Sequence, residues 1–217
     1  MRRLVELWWM EAGRNQVLPL DDSLVGRAIA IEPPPLMPRF RNVYLAGGGP
    51  VAEDALPPLG AGFRLHAELE VGEAASGIVC ALGDWNNGWA LYLLDGRPVV
   101  TFNLFGAAHR TEASATLTAD RHTVGFEFAR QHPHGGPVTL TVDGAPVGES
   151  RLPVDLPFRW QIGVAGLLLG HDRGFPVCDD YEPPFELAGT IDQVVIEVPM
   201  LAPRDPDAEL ASSMRRE

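Results

Sequence analysis

The sequence predicts an all-β protein, a two-sheet antiparallel jelly-roll sandwich with one short N-terminal helix. Three observations predict it. Between residues 63 and 198 about ten short apolar runs follow one another closely, turn residues separate nearly all of them, and no amphipathic helix interrupts the series. Strands so closely spaced must pair antiparallel, because a parallel pair needs a long crossover, usually a helix.

The chain opens on the helix. Leu4, Val5, Leu7, Trp8, Trp9, Met10 and Ala12 spread around most of its circumference, so it needs cover on more than one side. Trp8, Trp9 and Met10 are therefore its candidate interface, with a partner domain or with a second copy. The helix and an extended segment containing NQVLPLDDS make up residues 1–32. Residues 33–62, rich in proline and glycine, are expected to wrap the sandwich without regular structure.

The body, residues 63–198, begins with FRLHAELEV (63–71). Its alternation sends Leu65, Ala67, Leu69 and Val71 to one face and His66, Glu68 and Glu70 to the other. GIVCAL (77–82), WALYLLD (89–95), PVVTFNLF (98–105), ASATLT (113–118) and HTVGFEFAR (122–130) follow as further strands. PVTLTVD (137–143), PVGESRL (146–152), WQIGVAGLLLG (160–170) and TIDQVVIEV (190–198) complete the series. Asp95-Gly96 and Asp143-Gly144 are hairpin signals, because both central residues of a type I′ turn need positive φ. The tail, residues 199–217, has little core-forming pattern and is expected to be flexible.

A chain of 217 residues, 46% hydrophobic, is long enough for one sizeable core. Seventeen basic against twenty-nine acidic side chains give a net charge of −12, which repels phosphate backbones and anionic lipids. Nucleic acid and membrane partners are thereby disfavoured. No run approaches the roughly 18 apolar residues of a membrane span. LVELWWMEAG is broken by Glu6 and Glu11 and does not read as a signal peptide, so the expected location is cytoplasmic. Cys80 and Cys178 are too few and too far apart for a disulfide scaffold, and whether they pair depends on their separation in the fold.

Four groups of residues carry candidate chemistry. In DWNNGW (84–89), Trp85, Asn87 and Trp89 offer aromatic faces beside amides, the combination on which sugar rings stack and hydrogen-bond, although Asn87-Gly88 is equally a plain turn signal. In GHDRGFPVCDDYEPPF (170–185), Asp172, Asp179 and Asp180 could coordinate a calcium ion. The same loop read structurally is a brace, with Asp172 in a turn, Tyr181 packed and Pro183-Pro184 fixing the chain before the last strand; the brace is favoured and no cofactor is required. Glu68 and Glu70 share a strand face as paired glycosidase carboxylates can, but alternation alone explains them as a solvated face. His132 and His134 in QHPHGGP have no nearby cysteine or carboxylate in sequence and read as a hairpin loop.

Four stretches resemble a known family. ELWWMEAGRNQVLPLDDS near the start and GHDRGFPVCDDYEPPFELAGTIDQVVIEV near the end resemble the C-terminal portion of bacterial arylsulfatases, and GWALYLLDGRPVVTFNLFG and HTVGFEFA resemble the central strands of that portion. The resemblance implies a concanavalin-like or laminin-G-like jelly roll preceded by the helix that ends a sulfatase catalytic domain. It transfers no catalytic residue. The sulfatase nucleophile comes from a C/S-x-P-x-R motif, and here Cys80 is followed by ALGD and Cys178 by DDYE. The expected role is thus a non-catalytic accessory domain of an arylsulfatase-type hydrolase, partnering a catalytic domain or self-associating through the helix. The alternative of a different class is a free-standing carbohydrate-binding module using Trp85, Asn87 and Trp89; a third is a glycan hydrolase acting through Glu68 and Glu70.

Overall fold

In a computed structural model, the protein is described over residues 2–14, 40–157, 160 and 166–199. The chain divides into two compact units, Met1–Pro38 and Arg39–Glu217. In the first, α1 spans Arg2–Arg14. Leu4, Val5, Leu7, Trp8 and Trp9 are exposed, and the two tryptophan rings meet edge to face at 4.8 Å. The Met10 side chain, NQVLPLDDS and the tail beyond residue 199 lie outside the described residues. No helix among the described residues is long and apolar enough to cross a membrane.

The second unit is the expected jelly-roll sandwich. Eleven strands are described: β1 (Arg41–Tyr44), β2 (Phe63–Val71), β3 (Gly77–Gly83), β4 (Asn87–Leu94), β5 (Arg97–Leu104), β6 (Ala107–Glu112), β7 (Asp120–Phe128), β8 (Gly136–Val142), β9 (Ala145–Leu152), β10 (Leu168–Leu169) and β11 (Gly189–Glu197). They form a six-stranded sheet in the order β1-β11-β2-β7-β8-β9 and a five-stranded sheet in the order β10-β3-β4-β5-β6, with antiparallel pairing throughout.

The inner faces interdigitate into one core. Leu65, Ala67 and Leu69 of β2 and Phe126 and Phe128 of β7 meet Trp89 and Leu91 of β4 and Phe102 of β5. Phe63, Trp89, Phe102 and Phe126 pack mostly edge to face, with centroids 5.4–6.4 Å apart, as aromatic quadrupoles prefer. Along the joint between β6 and β9, the Thr111 and Ser150 hydroxyls bond at 2.5 Å and Ser114 N–H donates to the Val147 carbonyl at 3.0 Å.

Four expectations need correction. The wrapping segment holds a strand, β1, and Val51 makes an isolated bridge to Leu167, so the sandwich starts near residue 40 and not at 63. ASATLT is not a strand. It links β6 of one sheet to β7 of the other, with Ala113 and Leu117 buried and Leu117 N–H held by the Gly96 carbonyl. PVVTFNLF ends as a strand at Leu104, because Phe105 and Gly106 adopt φ +55° and +82° and turn the chain into β6. Only Leu168–Leu169 of WQIGVAGLLLG forms a described strand; residues 161–165 lie outside the described residues. The two aspartate-glycine turns form as expected, with φ +48° and +77° at Asp95-Gly96 and +50° and +78° at Asp143-Gly144.

Candidate functional site

The outer face of the five-stranded sheet is covered by residues 170–188. Leu187 N–H donates to the Gly170 carbonyl, Ile78 N–H to Phe185 and Ala188 N–H to Ser76, all at 2.9 Å, which ties both ends of this segment to β10 and β3. Between those ends Val177, Cys178 and Tyr181 lie on Ile78, Ala81, Ala90, Tyr92 and Val99 as a second apolar cluster. Tyr181 also stacks on Phe185 at 5.4 Å.

Asp172 is 2% exposed and accepts hydrogen bonds from the Tyr181 hydroxyl at 2.5 Å and from Arg173 N–H at 2.7 Å. Burial pushes the Asp172 carboxyl above its ordinary value, against the pull of those donors. Burial, reinforced by the Asp172 charge, likewise pushes the Tyr181 hydroxyl up, so it stays a donor. Asp180 faces elsewhere: it accepts from the Tyr92 hydroxyl at 2.6 Å and from Arg110 Nε at 2.8 Å. Burial works to raise its carboxyl, but these two donors hold it below the ordinary value. Asp179 is exposed. The loop thus has the brace geometry, with Asp172 and Asp180 engaging separate partners. Among the described residues no group of three or more histidine, cysteine, aspartate or glutamate side chains is placed to hold a metal ion.

Cys80 and Cys178 are free and buried, Cys80 within the sandwich core and Cys178 on the side of the brace that faces the sheet. Glu68 and Glu70 stand on the outer face of the six-stranded sheet, where Glu68 accepts from Gln193 Nε2 at 2.8 Å and Glu70 pairs with Arg121 at 3.2 Å. His134 meets Asp155 at 3.3 Å, a partner twenty-one residues away that local spacing did not suggest.

The turn at 84–89 divides the sugar-stacking candidates. Trp89 is a correction: it is fully buried between Phe63 and Phe126, because its place on β4 points it into the core, and it cannot stack on a ligand. Asn87 is partly structural, since its side-chain carbonyl accepts from Phe105 N–H at 3.0 Å. Asn87 and Gly88 open β4 and do not form the turn. Trp85 alone of the three is presented outward, at 54% exposure.

Local chemistry fixes the turn that carries Trp85. Asp84 Oδ1 accepts from Asn86 N–H at 2.8 Å and Asn87 N–H at 3.3 Å, and Asp84 N–H donates to the Asn87 carbonyl at 3.0 Å. Gly83 and Gly88 permit this closure, because a Cβ at either would lie 2.2 Å from the Asn87 carbonyl oxygen or 2.7 Å from the Asp84 nitrogen.

Phe105, which no sequence motif singles out, joins Trp85. It is 70% exposed at the tip of the β5–β6 hairpin, and Gly106 N–H donates to the Asn86 carbonyl at 2.9 Å, so this tip is tied directly to the Trp85 turn. A phenylalanine at φ +55° is a steric outlier costing roughly 1 kcal/mol or more, in a position where asparagine or aspartate is preferred. Burial of the ring does not offset that cost. The signal available in the sequence was the Phe-Gly pair between two β-rich runs, disguised by the strand propensity of phenylalanine.

No protein-family model and no curated protein sequence matches the chain, so the resemblance to arylsulfatases rests on its quoted motifs alone. Solved structures do match. The K499G mutant of NanB sialidase from Streptococcus pneumoniae superposes with a TM-score of 0.52 at 16% identity, over 81% of this chain and 28% of the sialidase chain. The Ruminococcus gnavus IT-sialidase CBM40 domain gives 0.52 at 12% identity, over 80% of this chain and 97% of that domain. Domains LG4-5 of the mouse laminin α1 chain align at 18% identity over 72% of this chain and 38% of theirs, with a TM-score of 0.45. The likeness is one of fold. This chain spans little more than a quarter of the sialidase chain but nearly all of the CBM40 domain.

Proposed function

We propose that this protein is a carbohydrate-binding jelly-roll module whose contact surface is the pair of tied hairpin tips bearing Trp85 and Phe105. One observation carries the reading: two large aromatic side chains, 54% and 70% exposed, sit on neighbouring turns cross-linked by backbone and asparagine hydrogen bonds. Such rings offer flat apolar faces to the C–H faces of sugars, and rigid tips reduce the entropy lost on binding. Asn86, exposed beside Trp85, makes the backbone tie to Gly106 that joins the two tips. The fold shared with the CBM40 domain accords with this reading without carrying it.

The test is a glycan array followed by calorimetry on the best ligand. Trp85→Ala is expected to weaken binding by about tenfold or more, the size of an anchor truncation, with an unchanged melting temperature. Undiminished binding in that variant, or no binding to any glycan, contradicts the proposal.

A further inference from the structure

We infer that α1 binds the surface of a zwitterionic phospholipid membrane, laying its Trp8 and Trp9 side among the headgroups without crossing the bilayer. The inference concerns a different part of the chain from the carbohydrate reading and does not depend on it.

Helical spacing sorts α1 into two sides. At about 100° per residue, Leu4, Trp8, Val5 and Trp9 fall within an arc of about 140°, and Arg2, Glu6, Arg3 and Arg14 fall within the opposite arc. Leu7 and Glu11 stand at one margin, and Met10 is the one large apolar position among the charges. Leu4, Val5, Trp8 and Trp9 are 45–68% exposed, and Arg3 and Glu6 are exposed on the other side.

The apolar side is too small for a protein partner to hold firmly. A helix of 13 residues offers a face about 20 Å long and about 10 Å wide, far less than the roughly 800 Å² that each partner of a stable protein interface buries. A lipid surface needs no matched partner face. It takes helices of this composition, with low overall hydrophobicity, tryptophan and leucine on one side and arginine on the other. Adjacent exposed indoles suit it further, because the ring enters the apolar boundary while its N–H stays wet. At about 20 Å the helix is also shorter than the roughly 30 Å hydrocarbon core, so it lies along the interface.

Charge selects the headgroup. α1 carries three arginines and two glutamates, and the rest of the chain, with fourteen basic and twenty-seven acidic side chains, carries −13. An anionic leaflet repels that charge. A zwitterionic surface has no net charge and offers its phosphates to the helix arginines.

The experiment co-sediments the full chain with phosphatidylcholine vesicles and with vesicles in which phosphatidylglycerol replaces part of that lipid, at low and high salt. Binding to phosphatidylcholine is expected. At low salt the phosphatidylglycerol vesicles should bind more weakly, and the difference should shrink at high salt as repulsion is screened. Trp8→Ala combined with Trp9→Ala should lower the partition coefficient by about tenfold or more and leave the melting temperature unchanged, because neither ring is buried. Trp85→Ala should leave vesicle binding unaltered, which separates this surface from the hairpin tips. No binding to phosphatidylcholine, binding that the double variant retains, or tighter binding to the phosphatidylglycerol vesicles overturns the inference. Sedimentation velocity without lipid adds the remaining outcome: a dimer that the double variant abolishes would show that a second copy covers the face, and would overturn it as well.

Discussion

On the outer face of the six-stranded sheet, Arg64, Glu68, Glu70 and Arg121 stand at the surface and pair across strands with Glu127, Gln193 and Asp192. On the outer face of the five-stranded sheet, Ala90, Tyr92, Val99 and Thr101 lie buried under the brace. The strands register the difference. β2 alternates buried with accessible positions, whereas β4 and β5 are buried at nearly every residue. Polar groups follow the same division: ion pairs face solvent on the first sheet, while under the brace the Tyr92 and Tyr181 hydroxyls find specific acceptors in Asp180 and Asp172. A face so covered cannot receive a ligand across its width, and in the proposed reading recognition falls instead to the exposed Trp85 and Phe105.

The comparison can be broken most forcefully at Tyr181. Tyr181→Ala removes a buried ring and leaves the buried Asp172 carboxyl with only the Arg173 N–H as donor, so a loss of about 3–5 kcal/mol is expected from urea unfolding. A loss below about 1 kcal/mol would show that the brace does not hold the face closed.

A smaller effect separates the brace from the loops of the six-stranded sheet by pH. Burial raises Asp172, so the folded state binds more protons than the unfolded one between the ordinary carboxyl value and the raised one, and stability from this group falls as pH rises through that window. Asp172→Asn should remove that decline. Asp155, held down to about 2 chiefly by the hydrogen bond from Arg130, behaves oppositely. Its contribution is present above the ordinary value of 3.8 and is lost as pH falls towards about 2, so Asp155→Asn should flatten the acid limb. Melting temperatures across acid and neutral pH check both signs.

The smallest effect belongs to the open face. Arg121→Ala removes ion pairs to Glu70 and Asp192 whose side chains are about half exposed, and should cost no more than about 1 kcal/mol, less at high salt.

Much of this contrast was legible in the sequence. FRLHAELEV alternates and forms a strand wet on one side, and the two aspartate-glycine pairs turn where expected. The unbroken apolar runs GIVCAL and WALYLL are what a strand covered on both faces looks like, yet the sequence does not name the cover, which comes from a segment about 90 residues away. β6 escaped notice because AAHRTE is a mostly accessible edge strand without an apolar stripe. Trp85 and Trp89 share one short motif, and only the register of β4 separates a presented ring from a buried one. Phe105 was hidden for the opposite reason, a strand-favouring residue held in a turn by its neighbours' hydrogen bonds.

That division of one motif provides the most direct test of the central claim. Nuclear magnetic resonance can follow the indole N–H signals of Trp85 and Trp89, assigned by single replacement, while the best glycan from the array is titrated into the full chain. The expected result is a saturable shift of the Trp85 signal with Trp89 unmoved. A Trp85 signal that stays fixed while a glycan binds elsewhere, or across every glycan tried, would contradict the account.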